Sequence, residues 1–365
     1  IKTSYEVRMS DADFGRVTSG QAPIPDPYNP DTLPVGSSVM LDSTDFHGTG
    51  FEASYRNIKV ETNTSHEEGV SVAVEKTGEN TVRVTAGPTE AVEDSFKLGA
   101  SLGPASAHLG NTTRTGSTTL KTAEFDLSTP EGQAAYNNFV VSGRFPSENG
   151  TGVSDVSTTQ RFQYDSASSA GGALGPWAGS VPRGDSSLGI SNTTYPDGSM
   201  DQVTNGKHVN GTPFQLEQHF NADGSEDLTQ RAFSMSLVDA DVDSETSLAE
   251  AYGADASAFE GDKHIQLSID SEQAIELSQR ARDHIERWER TTGRTWTEPP
   301  QDSNNQVDRL ITALADAQTP EDVLQTLMDV RGGPRTISGA FSGMSSVYGE
   351  QVPLPGTLEA RNRDA

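Results

Sequence analysis

Valine recurs at alternate positions in GVSVAVEKTGENTVRVTAG, residues 69–87, and this alternation constrains the fold more than any other feature of the chain. Successive side chains of an extended strand point to opposite faces, so Val70, Val72 and Val74 share one face, as do Val82 and Val84 on the returning arm. The intervening KTGEN supplies the glycine that a tight turn requires. The stretch predicts a β-hairpin with a buried valine face.

The same period returns elsewhere. TTYPDGSMDQ and FQLEQHFNADGSEDLTQRAFSMSL each place Asp-Gly between alternating arms, with Phe214, Leu216 and Phe220 set against Phe233, Met235 and Leu237. In the 95–127 region, Phe96, Leu98, Ala100 and Leu102 alternate with small or polar residues, and Ala123, Phe125 and Leu127 resume the pattern. Two strands are expected there, and a hairpin with one apolar and one Ser/Thr/Gly face also suits insertion into a membrane. Upstream, five prolines between Pro23 and Pro34 remove donors from any ladder and predict an extended wrapper.

One segment breaks the period. STPEGQAAYNNFVVSG predicts a short helix near 129–142, with Ser128 and Glu131 as a capping box, Pro130 in the first turn and Gly143 at the end. Beyond about residue 246 the helical period takes over, apart from a last strand at HIQLSI. Asp270 caps a helix carrying Ala274, Leu277, Ser278, Ala281, Ile285 and Trp288 inward. A second helix carries Val307, Leu310, Ile311, Leu314 and Ala317, and a third starts at Thr319-Pro320 and ends at Gly332–Gly333. The expectation is an α+β fold: an antiparallel β-rich domain over 1–245, a mainly helical subdomain over 246–333, and a flexible Gly/Ser/Pro-rich tail over 334–365.

Composition narrows the function classes. The formal charge of −27 repels phosphate backbones and anionic headgroups at long range, which argues against nucleic acid as a partner. The chain has no cysteine, so disulfides and zinc–thiolate sites are excluded. No apolar run reaches the roughly 18 residues of a spanning helix. A start at Ile1 reads as a processed product or an excised piece of a longer protein.

Among chemistry-bearing stretches, DADVDSETSLAE stands out. Asp239, Asp241, Asp243 and Glu250 occupy positions 1, 3, 5 and 12 of a calcium-binding EF-hand loop, although position 6 is Ser244 where glycine is wanted and a strand pattern precedes it. Calcium is therefore the one cofactor the sequence suggests. The alternative is an acidic strand end leading into a helix at SLAEAY. Seven histidines form no close ligand pair, and SGAFSGMSS around Ser342 only superficially matches a nucleophile elbow.

Together, GVSVAVEKTGENTVRVTAGPTEAVE and AEFDLSTPEGQAAYNNFVVSGRFP give residues 35–245 a texture that resembles the non-catalytic, β-rich regions of large bacterial secreted polymorphic-toxin proteins. That resemblance implies a secreted or cell-surface bacterial protein region serving display, delivery or translocation of an effector. Its partners would be other domains of the parent or another protein, and no catalytic residue comes with it. A β-type pore-forming toxin inserting through 95–127, and a hydrolase with a site between sheet and helices, are the alternatives.

Overall fold

The computed structural model describes residues 6–42, 58–59, 62, 69–97, 116–164, 188–207, 213–237, 242–259, 263–297, 305–330 and 333–362. Among these the chain is α+β, with eight α-helices and fourteen strands, twelve of the strands in an antiparallel sheet. It forms two compact units: 1–163 with 190–203 and 220–225, and 164–189 with 204–219 and 226–365. The division does not follow the expected boundary at 245, because antiparallel pairing continues past it.

The first unit is built on β1 (Glu6–Arg8), β2 (Ser38–Asp42), β3 (Val70–Lys76), β4 (Thr81–Pro88), β5 (Gly116–Asp126) and β6 (Val153–Tyr164), each paired with the next. The valine hairpin forms as the alternation requires, with Val74 opposite Val84 and Val72 opposite Ala86. Val70, Val72, Val74, Val82 and Val84 are all buried, packed with Phe125, Tyr136 and Phe139. The opposite face is covered too. Met40, Ala73 and Leu120 pack against Ala91, Val92 and Phe96 of a helix, which explains why β3 is buried almost continuously.

That helix corrects the reading of 95–102 as a strand. Helix α2, the second after the exposed α1 (Asp11–Thr18), spans Thr89–Lys97 and contains Phe96. Val92 and Phe96 lie four residues apart, the helical spacing, and the uncovered apolar positions of the second sheet face select that conformation over local alternation. The rest of the expected first arm, 98–115, lies outside the described residues.

Helix α3 (Pro130–Ser142) is present, but its cap is Thr129, whose Oγ1 accepts from Gly132 N at 3.0 Å. Ser128 is committed instead to an Asx turn, donating both N and Oγ to Asp126 Oδ1. Gly132 is sterically enforced: a Cβ there would stand 2.0 Å from the Asp126 carbonyl oxygen and 2.8 Å from that of Gly152. The proline-rich wrapper lies against this helix, with Pro25, Pro27, Pro30 and Leu33 buried and the Tyr136 hydroxyl donating to the Pro27 carbonyl.

The two Asp-Gly turns have the same construction. Between β7 (Leu188–Thr194) and β8 (Met200–Lys207), Gly198 has φ +86° and Asp197 Oδ1 accepts from Ser199 N and Oγ. Between β9 (Pro213–Phe220) and β10 (Glu226–Leu237), Gly224 has φ +83° and Asp223 Oδ1 accepts from Ser225 N and Oγ. Positive φ suits glycine, and the aspartate replaces a backbone acceptor.

In the second unit β10 pairs with β11 (Lys263–Asp270), which pairs with β14 (Thr357–Asn362). Phe233 lies opposite Ile269, Met235 opposite Leu267 and Leu237 opposite Ile265, all buried. Helix α4 (Val242–Ala251) precedes β11, and α5 (Ser271–Thr292) follows it through a capping box between Asp270 and Gln273. Next come α6 (Gln306–Asp316), α7 (Pro320–Met328), with a Thr319–Asp322 capping box, and α8 (Gly333–Ser345). A two-residue hairpin, β12 (Ser346–Val347) and β13 (Glu350–Gln351), precedes β14.

Helix α8 and β14 occupy the segment expected to be a flexible tail. Its glycines are contact positions: a Cβ on Gly339 would come within 2.9 Å of Val307 Cγ2, and one on Gly343 within 3.4 Å of His284 Cε1. Around them Ile337, Ala340, Phe341 and Met344 are buried at helical spacing.

Candidate functional site

Helices α6 and α7 are joined by three residues, 317–319, and each turns an apolar stripe inward: Leu310, Ile311 and Leu314 on one, Val323, Leu324 and Leu327 on the other. A second stripe on each lines a groove of about 580 Å³. From α6 and its end come Gln306, Arg309, Leu310, Ala313, Asp316 and Ala317, spaced at three and four residues; Asp322, Gln325, Thr326, Asp329 and Val330 face them. Buried Leu310, Ala317 and Val330 form the floor, and Ala313 adds little bulk. The rim carries three aspartates against one arginine.

The walls are held by polar contacts behind them. Ser278 Oγ of α5 donates to the Ala317 carbonyl at 3.0 Å and accepts from Arg282 Nη2 at 2.6 Å, which fixes the turn between the two helices. Trp296 Nε1 donates to Thr312 Oγ1 at 3.0 Å, tying α6 to the end of α5, where Trp288 and Trp296 stack edge to face at 5.2 Å. Burial lowers the pKa of the adjacent His284, which stays neutral near pH 7.

The strongest anchor is Arg231 on β10. Its side chain is 3% exposed; Nε and Nη2 reach the Glu226 carboxylate at 2.7 and 2.6 Å, and Nη1 reaches Glu321 in the first turn of α7. Gln218 Nε2 also donates to Glu226 at 3.0 Å. Burial raises the pKa of Glu226, and the hydrogen bonds from Arg231 and Gln218 outweigh it, holding the carboxyl below its usual range.

A second ionic cluster lies in the first unit. Arg83 on β4 faces Glu75 at 3.8 Å, Glu124 at 3.1 Å and Asp155 at 3.6 Å. Asp155 has φ +52°, beside the register shift between β5 and β6 that brings its carboxylate to Arg83. With the arginine at its centre the cluster has side chains largely turned from solvent and joins neighbouring strands, and it reads as a structural network on the sheet.

Of the calcium candidates, Asp243 and Glu250 fall on α4. Residues 242–251 are helical where an EF-hand would loop, so Asp243 and Glu250 are separated by seven residues of helix, about 10 Å along its axis. Asp239 and Asp241 lie outside the described residues, among which no cluster of three or more His, Cys, Asp or Glu could hold a metal. Ser342 sits in α8, away from any strand-to-helix elbow.

The groove was not singled out from sequence. Its stripes are polar and small, as on any solvated helix face, and only the pairing of α6 with α7 makes them a concavity. No protein-family model, curated protein or solved structure matches this chain.

Proposed function

We propose that this chain is a non-catalytic docking region of a larger exported protein, and that the α6–α7 groove receives a basic amphipathic helix from a protein partner. The carrying observation is the pair of facing stripes: a floor of leucine, alanine and valine under a rim with a net charge of −2, counting Asp316, Asp322 and Asp329 against Arg309. An amphipathic helix laid there would complete a three-helix cluster, its apolar residues on the floor and its lysines or arginines over the aspartates. Eleven residues of α6 give about 16 Å of contact, three turns of such a helix. Display or delivery of an effector, implied by the resemblance to polymorphic-toxin regions, is the biological setting that a docking surface of this kind serves. The helical α2 weighs against the pore-forming alternative, since it occupies the start of the segment that would have to insert as a strand.

The test is binding of a labelled, helix-forming peptide with a leucine/alanine stripe flanked by lysines, against the same stripe flanked by glutamates. Fluorescence anisotropy is expected to show binding of the lysine peptide only, weakening as salt rises. Ala313→Trp, which fills the groove, and Asp316→Lys, which cancels the net charge of its rim, should each abolish it. Equal binding of both peptides, binding of neither, or indifference to Ala313→Trp sinks the proposal.

A further inference from the structure

Asn-x-Ser/Thr, with x other than proline, is the acceptor signal for N-linked glycosylation. The chain carries it at Asn63, Asn111, Asn149, Asn192 and Asn210. Asn149 and Asn192 fall among the described residues, and their surroundings differ sharply.

Asn192 lies within β7, half-buried, with its Oδ1 accepting from Gln202 Nε2 at 2.9 Å. The next residue, Thr193, is 1% exposed and its hydroxyl is bonded to that of Thr159 at 2.8 Å. A transferase would have to lift the strand from its neighbours to engage this tripeptide.

Asn149 leads into a turn closed by reciprocal backbone hydrogen bonds between Gly150 and Val153, at 2.9 and 3.0 Å. Asn149, Gly150 and Thr151 are all exposed. A Cβ at Gly150 would meet no atom within 4 Å, so the middle of the tripeptide is open to an enzyme surface. Asn149 Oδ1 accepts from Val156 N at 3.0 Å, which orients the amide. Glycosyl transfer takes place at Nδ2, so this hydrogen bond and a glycan are compatible on one side chain.

We propose that Asn149 is an N-glycosylation site, taking a preassembled oligosaccharide from a polyprenyl-diphosphate donor during export. The Nδ2–C1 bond forms as the bond from C1 to the diphosphate oxygen breaks. The amide proton passes to a base of the transferase, and the lipid diphosphate leaves with the bonding pair. The proposal rests on the exported reading given above, but not on the groove.

The experiment is secretion of the full 365-residue chain, carrying an added Asn-Gly-Thr tag at its C-terminus, through a host with an Asn-x-Ser/Thr-reading oligosaccharyltransferase. Glycopeptide mass spectrometry then reads each asparagine separately. Asn149 should be occupied and Asn192 empty; Thr151→Ala, which keeps the Asn149–Val156 hydrogen bond, should take occupancy at Asn149 to zero. Asn149 empty while the tag is occupied overturns the assignment, as does occupancy at Asn192 instead. The lysine-peptide assay on the same material reports on docking independently: a bare Asn149 with intact peptide binding removes this proposal alone, and a glycosylated chain without binding removes the docking reading alone.

Discussion

Two arginines, one in each unit, face several carboxylates under different structural obligations. Arg83 bridges Glu75 on β3, Glu124 on β5 and Asp155 on β6, strands that backbone ladders around β4 already hold together. Arg231 joins Glu226 on its own strand to Glu321 on α7, two elements with no ladder between them. The first network is redundant with the sheet; the second supplies a connection of its own. An ion pair matters to a fold according to what else ties its ends together, not according to how many partners it has.

The largest expected effect tests that contrast directly. Arg231→Ala leaves the Glu226 carboxylate largely buried and uncompensated and should cost about 3–5 kcal/mol in urea unfolding, along with lysine-peptide binding, because α7 loses its anchor. Arg83→Ala should cost only about 1–2 kcal/mol and leave peptide binding unchanged. Equal losses in the two variants would break the comparison.

Next in size, Gly198→Ala and Gly224→Ala should each cost about 1–2 kcal/mol, the penalty of a left-handed residue with a Cβ. Because the two turns share one construction, the two values should agree within experimental error in thermal unfolding. A clear inequality would show that one turn is held by its surroundings and not by its own residues.

The smallest effect is a slope. His284 in the second unit has a pKa lowered by burial, which its hydrogen bond with Gly343 only partly offsets. Above the ordinary value of 6.5 the imidazole is neutral in both states; as pH falls through that value toward the lower folded pKa, the unfolded chain takes up the proton first and stability declines. Glu226, with its pKa lowered in the fold, contributes stability that is lost only at lower pH, through its own folded value. Urea midpoints between about pH 7 and pH 5 should therefore fall for the wild type and fall less for His284→Gln. Parallel slopes would assign the loss elsewhere.

How far such features can be read in advance depends on whether they are local. The valine hairpin, the Asp-Gly turns and the caps at Asp270 and Thr319 were legible because each is decided within a few residues by strand period or backbone hydrogen bonding. Phe96 was misread because its alternation with Leu98 is a local cue, while the apolar surface it covers, Met40, Ala73 and Leu120, comes from three separate strands. Gly339 and Gly343 belong to a Gly/Ser/Pro-rich stretch whose composition suggests a flexible tail, yet they let α8 approach Val307 and His284 closely. Glycine alone does not say which of these it does. The groove escaped notice for a related reason: Arg309, Asp316, Gln325 and Asp329 have the spacing of two ordinary wet helix faces, and concavity belongs to the pair.

Gly132 has a consequence for tracing ancestry. Two carbonyl oxygens occupy the volume a methyl group would need, so any relative that keeps this strand-to-helix corner must keep a bare α-carbon there, however far the rest of its composition has drifted. A pattern of aspartate, a threonine or serine three positions on, then glycine three beyond, ahead of an aromatic at helical spacing, is a fingerprint that can outlast overall similarity.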